Sequence, residues 1–192
     1  MRKYLLHTIG LSLFIALFSC STTRYLQEDE YLLNKVEMKV LGEKIHTSPL
    51  EEFIRQKPNS NFLFIPKLRL KIYSLSGKDS SRVINRILKK IGSPPVVYDS
   101  LLTEQSVRQL EQELTNLGYL RNSVWAMPVK KGRKVDVTYY IVTGKQYSIR
   151  NFSVDVEQEF LRRLFKERTF RFLSGVESGD PFEAKRLDVM LK

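Results

Sequence analysis

One thiol, Cys20, and two imidazoles, His7 and His46, are the side chains of this 192-residue chain best suited to nucleophilic or metal chemistry. Their number defeats most of it. His7 sits in an apolar N-terminal stretch, so only His46 remains to meet Cys20. One imidazole and one thiol do not complete a zinc site, nor a nucleophile, base and orienting third group. No Gly-x-Ser-x-Gly elbow, dinucleotide fingerprint or P-loop occurs, and Gly77-Lys78 lacks the upstream glycine that a P-loop requires. The carboxylates are scattered over helical faces, where solvation or pairing four residues apart is their ordinary role. The expectation is a protein that is not an enzyme, with no metal site and no dissociable cofactor.

The surroundings of Cys20 give its thiol another role. Arg2 and Lys3 precede a mostly apolar run, Tyr4 to Phe18, which has the form of a secretory signal and is too short for a confident membrane span. The run ends in Leu17-Phe18-Ser19-Cys20, which resembles the lipobox of bacterial lipoproteins. That resemblance implies cleavage before Cys20 and acyl chains on it. Lipidation also accounts for a lone cysteine in an oxidising compartment, where an unpaired thiol is otherwise an oddity. One acyl chain binds a membrane only marginally, so a stable anchor implies several.

The full chain carries a formal charge of +11, and removal of residues 1–19 takes away Arg2 and Lys3 and leaves +9. Export makes nucleic acid an unsuitable target. An anionic membrane surface or an acidic partner fits the charge, as does a solvated basic face with no partner. With one cysteine no internal disulfide can form, so stability rests on apolar cores in one or two small domains.

The elements that must hold these groups follow from periodicity. Residues 20–33 read as a lipidated tether with acids at Glu28-Asp29-Glu30. From Asn34, Val36, Met38 and Val40 alternate with Lys35, Glu37 and Lys39 as in a half-buried strand. Ser48, Pro49 and Glu51 have the spacing of a helix start with a capping box, and Pro58 ends that helix. Residues 59–101 read as a basic insertion. In it Leu68, Leu70 and Ile72 alternate with Lys67, Arg69 and Lys71 as in a strand or extended segment. Ser80 or Ser81 then starts a helix with Ile84, Ile87, Leu88 and Ile91 on one face, ended by Gly92. Thr103 is the expected cap of a further helix through Val107, Leu110, Leu114 and Leu117, with Gly118 just past its end. Two strands joined by a turn at Lys130 to Arg133 complete a hairpin.

After Gly144 the pattern begins again. Ile149 to Val156 suggests a strand, Phe160 to Phe165 a helix, and Asp180 caps a last helix from Pro181. The expected fold is α+β: tandem β-α-α-β-β units, each with two helices packed on a three-stranded mixed sheet. The first would occupy 34–144 and an incomplete second 145–192.

Leu117-Gly118-Tyr119 at the end of the second helix resembles a POTRA domain, and Gly179-Asp180-Pro181-Phe182 is similar to that domain's usual helix opening. More particular are Ser21-Thr22-Thr23-Arg24-Tyr25-Leu26 and Tyr31-Leu32-Leu33-Asn34-Lys35-Val36. So are Ile54-Arg55-Gln56-Lys57-Pro58-Asn59 and Tyr98-Asp99-Ser100-Leu101-Leu102-Thr103. Together they resemble the N-terminus of the TamL lipoprotein branch of the BamA/TamA outer-membrane protein assembly family. Members of that family carry POTRA domains and a β-barrel, and insert or translocate outer-membrane proteins. No run of amphipathic barrel strands is present here, so the expectation is a fragment with no β-barrel. The resemblance implies a periplasm-facing module, lipid-anchored at the outer membrane. It would bind outer-membrane protein clients and a TamB-like inner-membrane partner. A free-standing structural lipoprotein of POTRA-like fold, without an assembly role, is the alternative.

Two surfaces stand out as binding sites. A three-stranded sheet leaves edges that can accept an extended peptide. In POTRA domains the strand after the second helix serves, which here is Asn122, Ser123, Val124, Trp125, Ala126 and Met127. Trp125 and Met127 are then adaptable contacts or, alternatively, plain core residues. The second surface is basic: Lys67, Arg69, Lys71, Arg82, Arg86, Lys89 and Lys90. It would rest on anionic headgroups or be a solvated covering of the sheet.

Overall fold

The structure, a computed structural model, describes residues 22–61, 66–77, 81–151 and 178–185. It is α+β. Strand β1 (Leu32–Gly42) is followed by a 3-10 turn (Ser48–Phe53), then helices α1 (Leu68–Leu75), α2 (Val83–Ile91) and α3 (Ser100–Asn116). Strands β2 (Asn122–Lys131) and β3 (Lys134–Thr143) close the order. The sheet runs β1-β3-β2. Among the described residues no helix is long and apolar enough to cross a membrane. The expected strand at Ile149–Val156, the helix at Phe160–Phe165 and most of the helix from Pro181 lie outside the described residues, as does Cys20.

The chain condenses into two compact units, and each strand contributes to both. In the first (residues up to Glu37, Arg55–Thr103 and Ala126–Tyr139), the start of β1 pairs with the start of β3. Leu32 N donates to Arg133 O at 3.0 Å, and Asn34 Nδ2 donates to Asp136 Oδ1 at 2.5 Å. In the second (Met38–Ile54, Glu104–Trp125 and residues from Tyr140 onward), Gly42 lies against Thr143 at the strands' far ends. Start against start and end against end is parallel pairing. The two-residue turn Gly132-Arg133 makes β2 and β3 antiparallel, so the sheet is mixed. Central strand β3 buries Val135, Val137, Tyr139 and Ile141 on one face. Its even-numbered residues on the other face stay half-buried.

Residues expected to form a free tether are part of the first unit. Leu26 is buried in a cluster with Leu32 and Leu70, against Val97. The Tyr25 hydroxyl donates to Ser76 O, and its ring meets Tyr73 edge-on at 5.2 Å. An aromatic and a leucine can cover more apolar surface there than the flanking acids cost by staying at the rim.

Three local expectations are corrected. Leu68, Leu70 and Ile72 are helical, not extended. Leu70 and Ser74 are the buried pair of α1, and their four-residue spacing follows a helical period that the short apolar-basic alternation conceals. The segment Ser48–Phe53 is a 3-10 turn with Thr47 at the N-cap position and no side-chain cap bond, so the expected capping box is not formed. Its leucine, Leu50, is nevertheless fully buried. Helix α3 starts earlier than Thr103. Asp99 is its cap: the Asp99 carboxylate accepts from Leu101 N at 2.8 Å and Leu102 N at 3.4 Å. An anion at a helix N-terminus also meets the positive end of the dipole. Thr103 is buried one turn on, where its hydroxyl donates to Asp99 O at 3.0 Å.

The far end of α3 forms as the sequence indicates. Gly118 has φ +87, and Tyr119 N donates to Leu114 O at 2.9 Å, the long bond of a Schellman turn. Gly92 follows the last residue of α2, as the sequence indicates, with extended backbone at φ −73. Its missing side chain serves a close approach, since a Cβ there would lie 2.6 Å from Tyr73 N.

Candidate functional site

The outer sides of the two flanking strands differ. Beside the start of β1 runs the segment Val96–Tyr98: Leu33 N donates to Val96 O and Tyr98 N to Tyr31 O, both at 2.8 Å. Gln56 fixes that segment, donating to Val97 O at 2.8 Å and accepting from Asp99 N at 2.9 Å. Asn59 holds its other end through Pro94 O at 2.8 Å and Val96 N at 3.2 Å. The start of β1 is therefore covered. Strand β2 has only β3 as a strand neighbour among the described residues.

The tight turn sets the register of β2, and it places Trp125 opposite Tyr140. Their rings stack at 5.5 Å with 14° between planes, and Lys39 Nζ lies 5.8 Å from the Tyr140 centroid. Odd-numbered β2 residues bond to β3, and even-numbered ones turn their N–H and C=O outward. Of the outward N–H groups, that of Val124 is engaged by Glu111 Oε1 at 3.1 Å, and Pro128 has none. Ala126 between them offers an outward donor and acceptor pair.

The side chains of the expected edge fall into two sets. Val124 is buried, and Asn122 and Ala126 are half-buried. The Asn122 amide donates to Thr115 Oγ1 at 3.0 Å and Tyr119 O at 2.7 Å, so it fastens the strand to the end of α3. Ser123, Trp125 and Met127 are exposed on the opposite side, Trp125 by 43% and Met127 by 53%, and Val129 continues their row. Trp125 and Met127 are thus not core residues.

The basic residues are less uniform than their sequence suggests. Lys67 is turned inward and donates from Nζ to Asn34 O at 2.7 Å and to Asn34 Oδ1. Burial, aided by the charge of Lys134, pushes the Lys67 ammonium below its ordinary range. Asn34 in turn donates to Asp136, and Lys131 Nζ reaches Asp136 Oδ2 at 2.9 Å. The Lys131 and Asn34 hydrogen bonds hold that carboxyl below the usual carboxylate range. On α1, Arg69 is exposed with Nε donating to Ile91 O at 3.3 Å, and Lys71 is half-buried. On α2, Arg82, Arg86 and Lys90 are exposed, whereas Lys89 is half-buried with Nζ 6.0 Å from the Tyr25 ring centroid.

Sequence periodicity missed the apolar side of α2. Ile84, Ile87 and Ile91 have the spacing of a core stripe, yet all are exposed, as is Val83. A stripe reveals amphipathicity, not which partner covers it. A second feature missed is a cleft of about 720 Å³ lined by Arg121, Lys145, Tyr147, Ile149, Arg150 and Ser178, among others. Its basic groups have no carboxylate among those lining residues. No cluster of metal-ligating side chains occurs among the described residues.

In comparison with known proteins, no family model, no curated protein and no solved structure matches the chain.

Proposed function

We propose that this chain is a lipid-anchored, POTRA-like module of an outer-membrane protein insertion or translocation factor. It binds extended client segments in the periplasm by strand addition to β2. Cys20 carries the anchor, and a TamB-like inner-membrane protein is the expected partner. The observation that carries the reading is the outward edge at Ala126, flanked by the exposed side chains of Trp125 and Met127. Main-chain bonds at such an edge supply affinity with little demand on client sequence, and alternate side chains supply contact area. The order strand, helices, hairpin and the mixed sheet suit the same assignment.

An Ala126→Pro variant tests it directly. The Ala126 N–H faces away from β3, so proline removes the edge donor and leaves the hairpin ladder intact. Binding of an unfolded outer-membrane protein client, followed by photo-crosslinking from position 123, should fall about tenfold. Undiminished crosslinking in a variant with unchanged circular dichroism sinks strand addition at this edge.

A further inference from the structure

We propose that α2 is an interfacial helix that sinks one apolar ridge into an anionic bilayer surface. At about 100° per residue, Val83, Ile84, Ile87 and Ile91 fall within an arc of about 100°. They are 59%, 71%, 50% and 52% exposed. The packing side of the helix is elsewhere. Gly92 abuts the Tyr73 backbone, and Asn85 Oδ1 accepts from Gly77 N at 2.9 Å, both contacts with α1 or the residues just after it. The ridge therefore stands away from the face that holds α2 in place.

Charge identifies the surface it meets. Arg82, Arg86 and Lys90 border the ridge on the Val83 side, where long basic side chains can reach phosphates while the isoleucines enter the acyl boundary. Between residues 67 and 98 the sequence has eight basic residues and one acid, Asp79, a net +7. A second copy of the chain would bring the same positive field against it; an anionic bilayer brings the opposite one. Nine residues are too short to cross a bilayer and long enough to lie in its interface.

Tyr25, near the first of the described residues, lies close by. It is held against Ser76 and under Lys89. Four residues separate Tyr25 from Cys20, and the five steps between them span at most about 18 Å. This proximity rests on the proposed acylation of Cys20; the ridge and its charge do not.

The test uses the full chain with its one native tryptophan replaced, Trp125→Phe, and a reporter at Ile87→Trp. Vesicles of phosphatidylcholine alone are compared with vesicles containing about 30% phosphatidylglycerol. In the anionic vesicles emission should shift to the blue, and brominated acyl chains should quench it by about half or more. Arg86→Glu with Lys90→Glu should weaken that partition about tenfold or more. The same quenching in a Cys20→Ala background shows that the ridge acts without an acyl chain, and no client is present to confuse the two proposals. A reporter as open to aqueous acrylamide with anionic vesicles as without them overturns the proposal. So does equal quenching in neutral vesicles, or a blue shift that needs only higher protein concentration, which assigns the ridge to a second copy. Ile84→Trp gives an independent reporter should the first substitution disturb the fold.

Discussion

Tyr25 is fastened to Ser76 across 51 residues of sequence: its hydroxyl donates to the main-chain carbonyl and also lies 2.9 Å from Ser76 Oγ. Ser76 Oγ itself donates to Tyr73 O at 2.7 Å, so the end of α1 and the segment around Tyr25 share one polar knot. Removing the hydroxyl with Tyr25→Phe keeps the ring contact to Tyr73. The expected loss is about 1 kcal/mol in urea unfolding. Proteolysis between residues 22 and 31 should accelerate as well. A variant as stable and as protease-resistant as the parent would show that the knot holds nothing.

The stack of Trp125 on Tyr140 orients the indole beside the open edge. Trp125→Ala is expected to weaken binding of an unfolded client about fivefold, as loss of an exposed aromatic contact does. Trp125→Phe should keep most of the affinity. The fold should lose only about 0.5–1.5 kcal/mol. Anisotropy titration with a labelled client separates the two effects.

Asp136 makes stability pH-dependent. The hydrogen bonds from Lys131 and Asn34 lower its folded-state pKa below the ordinary 3.8. A carboxyl depressed in this way stabilises the fold above its unfolded pKa, and that stabilisation is lost as pH falls through the folded value. The window therefore opens below about pH 4. In denaturant titrations from pH 6 to pH 2.5, the parent should lose more stability than Asp136→Asn. Parallel curves would contradict the assignment.

At Gly92 the constraint is space. A Cβ would lie 2.6 Å from Tyr73 N and 2.7 Å from Tyr73 Cα, against backbone that cannot swing aside. Gly92→Ala should cost about 1–3 kcal/mol by forcing α1 and α2 apart. Gly132 has φ +58 with nothing within 4 Å of a Cβ, so Gly132→Asn should cost only a few tenths of a kcal/mol. Equal midpoints for the two variants would refute the distinction.

What the sequence discloses follows the range of the forces involved. The β2–β3 hairpin and the glycine after α3 are legible because a turn, an alternation and a left-handed residue each act within a few positions. Helix α1 is not, because Leu68-Arg69-Leu70-Lys71-Ile72 fits a period of two and its helical partner Ser74 lies beyond the alternation. Thr103 and Asp99 both suit a cap, and only the start of α3 selects Asp99. Lys67 looks like one more surface cation until Asn34, 33 residues earlier, is placed beside it. For the two candidate surfaces, alternation separates Trp125 and Met127 from Val124. The face that meets the core is settled only by β3.

The parallel pairing of β1 with β3 also sets a timetable. Asn34 and Asp136 are 102 residues apart, and synthesis proceeds at about 5–20 residues per second, so β1 waits about 5–20 s for its partner strand to exist. During that interval β1, the first of the three sheet strands in sequence, lacks its strand neighbour. Its unsatisfied main chain then depends on holdase chaperones, or on simple dilution, to avoid a neighbour's strand before its own arrives.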